Sequence, residues 1–278
     1  MKAYAKINLA LDIVGRRPDG YHELSTVMQR ISLADEVTLS ERGDGLSVRC
    51  DTPGVPTDES NIVCRIASAF SRHTGIDVKG ICFTIRKNIP SGAGLGGGSS
   101  DGAAALELLD RHFGTQLTEE EKIAIAAPVG ADIPFFIYGQ TALCEGIGER
   151  ITPLQPLDGH IVVIKPPFSI STPAAFAAYD ALEETEHPDI PALCAAIRSG
   201  DLRRTAALLG NSLQRPAAAR YPRVEALIGA LIRHGALGAA MTGSGSAVFG
   251  IFKEEKTARR AADLLAAPDL AVFHCRFL

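Results

Sequence analysis

The sequence predicts an α+β fold, and two observations support that class. Segments in which every second residue is apolar recur along the 278 residues, and this is the period of a half-buried strand. Helical segments that begin at capping residues lie between them. Strands and helices interleaved in this way are typical of sheets covered by helices. The length allows one large domain or two domains of ordinary size.

The composition excludes several classes of function. Lys and Arg total 28 and Asp and Glu total 32, so the net charge of −4 offers no basic field for nucleic acid. A single phosphorylated metabolite needs only a few local donors, so small-molecule partners remain open. The six cysteines are scattered without a C-x-x-C spacing and are expected to be reduced and buried. No segment is typical of a membrane span, and the expected location is cytoplasmic.

The first predicted strand, Ala5–Ile13, has two faces of different character. Its odd-numbered positions are all apolar, whereas Lys6 and Asn8 project together from the opposite face. A lone lysine on a strand is usually solvated. The companion asparagine on an otherwise apolar strand favours a shared polar site.

Later elements follow from the same local rules. A Pro-Asp-Gly turn at 18–20 presents Tyr21 and His22 at the start of a second strand-rich stretch, and the pair is explained either as surface residues or as a ligand contact. The elements predicted after it are strands at 24–40 and 46–50, a helix at 61–73 capped by Ser60 or Asn61, a strand at 79–86, a helix ending near 112, a short helix opened by a Thr118–Glu121 capping box, a strand at 161–164, several alanine-rich helices, two short strands around 242–246, a helix from about 254 and a last strand near 270–277.

The segment Pro90–Ser100 carries the strongest chemical signal. It holds five glycines in eleven residues and lies between a predicted strand and a helix expected to begin near Ser99. Glycines let backbone N–H groups approach an anion closely, and a helix N-terminus adds further donors. A flexible turn needs only one or two glycines, so their density favours a phosphate cradle.

Two other phosphate-binding motifs, the dinucleotide-binding motif and the P-loop, fit the sequence less well. Gly92, Gly94 and Gly97 fit the G-x-G-x-x-G pattern of dinucleotide-binding proteins. That pattern requires an acidic residue at the end of a strand about 20 residues later, but residues 117–122 predict the start of a helix. No G-x-x-x-x-G-K-[ST] sequence occurs, which excludes a P-loop.

Three motifs resemble those of the GHMP kinases, the superfamily of galactokinase, homoserine kinase and mevalonate kinase. They are Lys-Ile-Asn-Leu at 6–9, the glycine segment at 90–100 and Met-Thr-Gly-Ser-Gly-Ser-Ala at 241–247, in family order over nearly the whole chain. Asp-Gly-Tyr-His-Glu-Leu at 19–24 and Gly-Ala-Asp-Ile-Pro-Phe-Phe at 130–136 narrow the resemblance. They are similar to members that act on a cytidine diphosphate-linked polyol.

The resemblance implies a catalytic pair. Asp132 matches the family's catalytic aspartate, which accepts the proton of the acceptor hydroxyl or orients that hydroxyl. Lys6 matches its partner lysine, which stabilises the developing alkoxide. By local rules alone Asp132 would be an ordinary N-cap, because Pro134 stands where a helix would start.

The resemblance also implies binding residues. Tyr21 and His22 match the pair that stacks on a cytosine ring and hydrogen-bonds its edge. Local rules instead make Asn61 a helix cap, Lys87 a solvated lysine at a strand end and Thr172 a cap before Pro173. The residues expected to bind ATP are Asn61, Lys87, Pro90, Ser91, Gly92, Ala93, Gly94, Leu95, Gly96, Gly97, Gly98, Ser99 and Ser100, and those expected to bind the acceptor are Asn8, Tyr21, His22, Thr172, Gly243 and Ser244.

The implied architecture has an ATP-binding domain at 1–156, like domain 2 of ribosomal protein S5, and a ferredoxin-like substrate-side domain at 157–278, with the active site between them. The expected function is ATP-dependent phosphorylation of the cytidine diphosphate-linked polyol for isoprenoid synthesis. Mg²⁺ is expected to arrive with ATP and to be held chiefly by its triphosphate, with few protein ligands, whose identity the sequence does not show. The alternatives are a homoserine or mevalonate type of kinase and a non-catalytic binding protein of the same fold.

Overall fold

The computed structural model describes residues 1–18 and 20–278, so Asp19 of the predicted turn lies outside the described residues. Within these ranges, no helix has the length and apolar composition needed to cross a membrane. The elements are β1 (Lys2–Arg16), β2 (His22–Glu41), β3 (Ser47–Cys50), α1 (Ile62–Thr74), β4 (Ile81–Arg86), α2 (Gly97–Phe113), α3 (Glu119–Ala126), α4 (Ile133–Tyr138), β5 (Ala142–Gly146), β6 (Arg150–Pro153), β7 (His160–Lys165), α5 (Thr172–Asp180), α6 (Ile190–Arg198), α7 (Leu202–Ala207), β8 (Gly210–Asn211), α8 (Gln214–Arg220), α9 (Arg223–Arg233), β9 (Gly238–Met241), β10 (Val248–Phe252), α10 (Glu255–Leu265) and β11 (Ala271–Arg276).

The chain divides into two compact units that are each built from separate segments. β1 and β2 contribute residues to both units, because a boundary between the units falls within each of these long strands. The predicted division between residues 156 and 157 into functional domains stays a prediction. Unit 1 comprises Met1–Ala5, Leu33–Ile89 and Gly96–Gly139, and unit 2 comprises Lys6–Ser32, Pro90–Leu95 and Gln140–Leu278.

Unit 1 combines a short sheet with four helices. β4 pairs with β3 in parallel and with the second half of β2 in antiparallel orientation, where Val37 lies opposite Ile85. Helices α1 and α2 pack together, and α4 contacts both α2 and α3. The predicted capping box is present, since Thr118 and Glu121 each bond the other's backbone N–H. Apolar rings such as Phe70 fill the space between these elements.

Unit 2 contains the remainder of the long strands. The first half of β2 pairs with β5, and β6 extends this arrangement beyond β5. β1 pairs in parallel with the short β8, where Ala10 lies opposite Gly210. Strands β5, β6 and β8 were not predicted from the sequence. They are two to five residues long, too short for a clear apolar period.

A second sheet of unit 2 is antiparallel and has the order β11-β7-β10-β9. Numbered along the chain as strands one to four, these strands have the order 4-1-3-2, and α9 and α10 pack against them. This is the ferredoxin-like arrangement expected for the C-terminal part of the chain. The two strands predicted around 242–246 lie on either side of that segment, which is itself the turn between β9 and β10.

Candidate active site

The polar face of β1 is buried in unit 2. Lys6 is 4% exposed and Asn8 is 1% exposed. The Lys6 ammonium donates hydrogen bonds to Asn8 Oδ1 at 2.7 Å and to the Gly94 carbonyl at 2.9 Å. Asn8 Nδ2 donates in turn to Thr26 Oγ1 at 2.8 Å. The two predicted residues therefore belong to one internal polar network and not to a solvated strand edge.

The first part of the glycine segment, Pro90–Leu95, lies in unit 2 beside this network. Gly94 has a φ of +76°, and a Cβ added there would lie 2.1 Å from the Thr242 carbonyl oxygen. Only glycine fits this position, because backbone approaches it so closely. The Lys6 N–H donates to the Leu95 carbonyl at 3.0 Å, which fixes the end of this part on β1.

The second part of the segment forms the start of α2 in unit 1. The helix begins at Gly97, two residues before the predicted start, because Gly96 adopts a φ of +70° and opens it. No side chain caps the first turn. The first N–H groups of a 17-residue helix are thus left for another acceptor, which is the arrangement that binds phosphate in other proteins. Ser100 uses its hydroxyl elsewhere, donating to the Tyr4 carbonyl at 2.7 Å.

The late glycine motif lies against the same lysine in unit 2. Gly243 has a φ of +56°, and a Cβ there would lie 3.0 Å from the Gly94 carbonyl oxygen and 3.3 Å from Lys6 Nζ. The next residue, Ser244, has its hydroxyl 3.1 Å from that of Thr172. Unit 2 therefore brings together six of the predicted site residues, which are Lys6 and Asn8 of β1, Gly94 of the early glycine segment, Gly243 and Ser244 of the late glycine motif, and Thr172 of α5.

Two predictions about helix caps differ from the structure. Asp132 occupies the N-cap position of α4, as local rules expected, but its side chain makes no capping hydrogen bond. Thr172 was predicted to cap α5 and is instead its first residue. Ser171 is the cap, because it has the extended backbone that a cap requires, and its hydroxyl accepts from the Ala174 N–H.

The predicted catalytic pair is divided between the units, with Lys6 in unit 2 and Asp132 in unit 1. Their cooperation stays a prediction. Asn61 is confirmed as the cap of α1, since its Oδ1 accepts from the Val63 N–H at 2.9 Å. Its Nδ2 donates to the Pro56 carbonyl at 2.6 Å, and its contact with ATP also stays a prediction.

Lys87 is not the solvated lysine that local rules suggested. Its side chain is 8% exposed, and its ammonium bonds both Asp35 and Asp101, the latter at 2.7 Å. Burial alone would lower the pKa of Lys87, but the charges and hydrogen bonds of the two carboxylates outweigh burial and raise it. A Cβ at Gly97 would lie 3.3 Å from Lys87 Nζ, so this ion cluster lies directly behind the start of α2.

Asp101 is the unusual member of this cluster. Its Oδ1 is buried and has no hydrogen-bond partner. Burial raises the pKa of Asp101 to about 7, against the opposing charge of Lys87 and with a further contribution from Asp35. Sequence reasoning missed both aspartates. The position of Asp101 immediately after the glycine segment was the one available signal, since the pairing of Asp35 with Lys87 joins residues 52 positions apart.

The predicted cytidine pair lies in unit 2 with two residues that were not predicted. His22 Nε2 lies 2.7 Å from Asp180 Oδ1, and its ring stacks on Phe176 with centroids 4.7 Å apart. Tyr21 is 65% exposed. The signal for the two missed residues was their spacing of one helical turn in α5.

No group of three or more His, Cys, Asp or Glu side chains in the described part of the chain is arranged to hold a metal ion. Asp35 and Asp101 do not offer a free pair of carboxylates, because both bond the Lys87 ammonium.

Two family models match the chain. Residues 61–140 match the N-terminal domain of the GHMP kinases, and residues 190–268 match their C-terminal domain. Together the matches cover more than half of the chain. The chain therefore belongs to the GHMP kinases, a family of ATP-dependent kinases, as its glycine segments and buried lysine indicated.

Two similar proteins and one solved structure are kinases of the same cytidine diphosphate-linked polyol. The 4-diphosphocytidyl-2-C-methyl-D-erythritol kinase of Clostridium botulinum (strain Alaska E43 / Type E3) is 39% identical over 277 residues, which is 99% of each chain. The protein of that name from Caldicellulosiruptor saccharolyticus is 41% identical over 267 residues, covering 95% of this chain and 92% of the relative. A solved 4-(cytidine 5'-diphospho)-2C-methyl-D-erythritol kinase superposes with a TM-score of 0.84 at 34% identity, covering 100% of this chain and 98% of the other.

Proposed function

We propose that the chain transfers the γ-phosphoryl group of ATP to the 2-hydroxyl of 4-diphosphocytidyl-2-C-methyl-D-erythritol, in the methylerythritol phosphate route to isoprenoid precursors. The observation that carries the proposal is the buried Lys6 ammonium, which donates to the Gly94 carbonyl inside the early glycine segment. It also lies beside Gly243 of the late motif. A cation fixed where two anion-binding segments meet supports phosphoryl transfer, and the relatives named above support this acceptor.

Each step of the reaction has a residue suited to it. The uncapped first turn of α2 binds phosphate oxygens through backbone N–H groups. The 2-hydroxyl oxygen attacks the γ-phosphorus, and the bond from that phosphorus to the oxygen bridging it to the β-phosphorus breaks, so that ADP leaves. Asp132 accepts the proton of the hydroxyl, and Lys6 stabilises the negative charge that develops on its oxygen.

The cytidine end is proposed to bind at the other end of β1. The exposed ring of Tyr21 offers a stacking surface for a pyrimidine, and His22 offers a hydrogen-bonding edge. The stacking of His22 on Phe176 and its contact with Asp180 support this role, because they fix the imidazole in one orientation. Thr172 and Ser244 provide paired hydroxyls for the acceptor.

Mg²⁺ is proposed to bind through the phosphate oxygens of ATP. When bound, it neutralises part of the charge of the triphosphate. This suits the donor set, since the described residues offer no carboxylate cluster of their own for a metal ion. A cytoplasmic location is also proposed, supported by Cys64 and Cys194, which are buried free thiols.

The test is a coupled assay of ADP release with 4-diphosphocytidyl-2-C-methyl-D-erythritol as acceptor. We expect Asp132→Asn to lower kcat by about 10² to 10⁴-fold, because the proton acceptor is lost while the shape is kept. Asp201→Asn is the matched control. Asp201 caps α7, and asparagine caps a helix equally well, so kcat should stay at the wild-type value.

The alternatives have different outcomes in the same assay. Turnover of homoserine or mevalonate instead of the cytidine substrate would contradict the proposed acceptor, and Tyr21→Ala would then leave the activity unchanged. Binding of ATP without turnover of any acceptor would indicate a non-catalytic member of the family. Full activity of Asp132→Asn would contradict the proposed role of that residue.

A further inference from the structure

The side chain of Asn211, at the end of β8, holds both sides of the late glycine turn. Its Nδ2 donates to the carbonyl oxygens of Met241 and Gly243, each at 2.9 Å. Its Oδ1 accepts from the Leu213 N–H at 2.9 Å. Asn211 is 9% exposed, so these bonds are made away from water and each carbonyl would lose its donor if the amide were removed. The two carbonyls flank Thr242, whose position the amide therefore fixes.

A second amide supports the same turn from the next helix. Gln214 Oε1 accepts from the Met241 N–H at 2.9 Å, and its Nε2 donates to Glu225 Oε1 at 2.9 Å. Both backbone groups of Met241 are thus bonded by side chains from the end of β8 and the start of α8. The turn is fixed by side chains and not only by its own backbone.

Thr242 links this turn to the proposed catalytic lysine. It is fully buried, and its Oγ1 accepts from the Asn8 N–H at 3.0 Å. The same hydroxyl lies 3.3 Å from Asn8 Oδ1 and 3.3 Å from the Gly94 carbonyl oxygen. These are two oxygens that accept hydrogen bonds from the Lys6 ammonium. Thr242 therefore fixes β1, which carries Lys6, relative to the Gly94 loop, whose carbonyl the Lys6 ammonium contacts.

We propose that Thr242 and Asn211 are positioning residues for phosphoryl transfer, acting through the late glycine turn to fix the Lys6 ammonium. The proposal rests on the proposed function, because it assigns these residues to the kinase reaction. Neither residue needs to touch the substrate. They act by setting the position of the Lys6 ammonium. That positive charge stabilises the transition state only when it lies close to the atoms on which negative charge develops.

The kinetic test uses Thr242→Val, which keeps the shape of threonine and removes its hydroxyl. The loss of the buried hydrogen bonds of this hydroxyl is expected to lower kcat about tenfold and to change each KM by less than about twofold. Thr242→Ser keeps the hydroxyl and is expected to retain kcat within about threefold. Asn211→Asp is the second variant, since it keeps the acceptor for Leu213 N–H and removes both donors to the turn.

The matched control is Thr141→Val. Thr141 is also a fully buried threonine of unit 2, and its hydroxyl donates to Gln29 Oε1 at 2.5 Å, in a different hydrogen-bond network. Thr141→Val should lower the midpoint of thermal unfolding about as much as Thr242→Val does, but it should leave kcat unchanged. Equal losses of kcat in the two valine variants would mean that Thr242 is merely structural. A rise in KM for ATP at constant kcat would likewise overturn the positioning role.

A second measurement needs no acceptor, so it separates this proposal from the proposed function. The ¹⁵N–¹H signal of the Lys6 ammonium, assigned by its loss in Lys6→Arg, should shift in Thr242→Val and Asn211→Asp and return toward wild type in Thr242→Ser. It should stay unchanged in Thr141→Val. An unchanged Lys6 signal in Thr242→Val would overturn the inference even if the wild type phosphorylates its acceptor. If the wild type does not phosphorylate the proposed acceptor but the Lys6 signal still shifts in Thr242→Val, the positioning role is supported and the proposed acceptor is refuted.

Discussion

Each compact unit buries a lysine at the end of a strand, Lys87 in unit 1 and Lys165 in unit 2, and the two ammonium groups have opposite kinds of partner. In unit 1 the Lys87 ammonium bonds two carboxylates, Asp35 and Asp101, and the balance of burial and charge raises its pKa. In unit 2 the Lys165 ammonium donates to two backbone carbonyls, those of Pro166 at 2.8 Å and Phe168 at 2.7 Å, and burial lowers its pKa. Both are strand-end lysines in the sequence, which offers no sign of the difference.

The difference shows two separate uses of a buried cation. In unit 1 the two carboxylates hold the Lys87 ammonium in a defined position. In unit 2 the Lys165 ammonium instead holds two backbone carbonyl groups in position. The Phe168 carbonyl also accepts from the Ser246 hydroxyl, so it is held from two sides. Ser169 follows directly, and its Oγ lies 2.8 Å from the place of a Cβ on Gly92. Lys165 thus orders a loop that lies against the early glycine segment.

Lys87→Met gives the largest expected effect. It would leave Asp35 and Asp101 buried without their cation, so the free energy of unfolding should fall by about 3 to 5 kcal/mol near neutral pH. Urea unfolding measures this directly. Lys79→Met in the same unit is the control, because the Lys79 side chain is 77% exposed and its change should stay within about 0.5 kcal/mol. Equal losses in both variants would contradict the buried cluster.

Asp101→Asn tests the raised pKa of Asp101 in that cluster. The pKa of Asp101 in the folded protein is about 7, against 3.8 for an unperturbed aspartate, so the folded state holds a proton between these pH values and its stability should fall as pH rises from about 4 to 7. The loss is at most about 1.4 kcal/mol per pH unit for one proton. Unfolding at several pH values should show this slope flattened in Asp101→Asn. It should be retained in Asp77→Asn, whose carboxylate is 66% exposed. Identical slopes in all three proteins would refute the assignment.

Lys165→Met gives the smallest expected effect, a loss of about 1 to 2 kcal/mol in the free energy of unfolding. Two carbonyls lose a donor, but an unfavourably buried charge is removed as well. Because folding lowers the pKa of Lys165, the unfolded chain holds its proton to higher pH, and wild-type stability should rise with pH in the alkaline range. Methionine should abolish that rise. A loss as large as that of Lys87→Met would contradict the contrast between the two lysines.

Local patterns predicted much of the secondary structure and part of the site. The Asn61 cap and the Thr118–Glu121 capping box follow from neighbours within three residues, and both are present. The alternation in β1 correctly placed Lys6 and Asn8 on one polar face. The cap at Thr172 was predicted one residue late, because serine and threonine cap a helix similarly and the backbone angles choose between them.

The sequence by itself determined most of the helices and the longer strands in their order, the glycine segments, the polar face of β1 and the family to which these motifs belong. These features depend on residues close together in the chain, whose spacing fixes their geometry. The tertiary structure alone decided that Lys87 pairs with Asp35 and Asp101, and that Asn211 and Thr242 hold the turn beside Lys6. Such contacts join residues as far as 234 positions apart, and their strength comes from burial that no local pattern records.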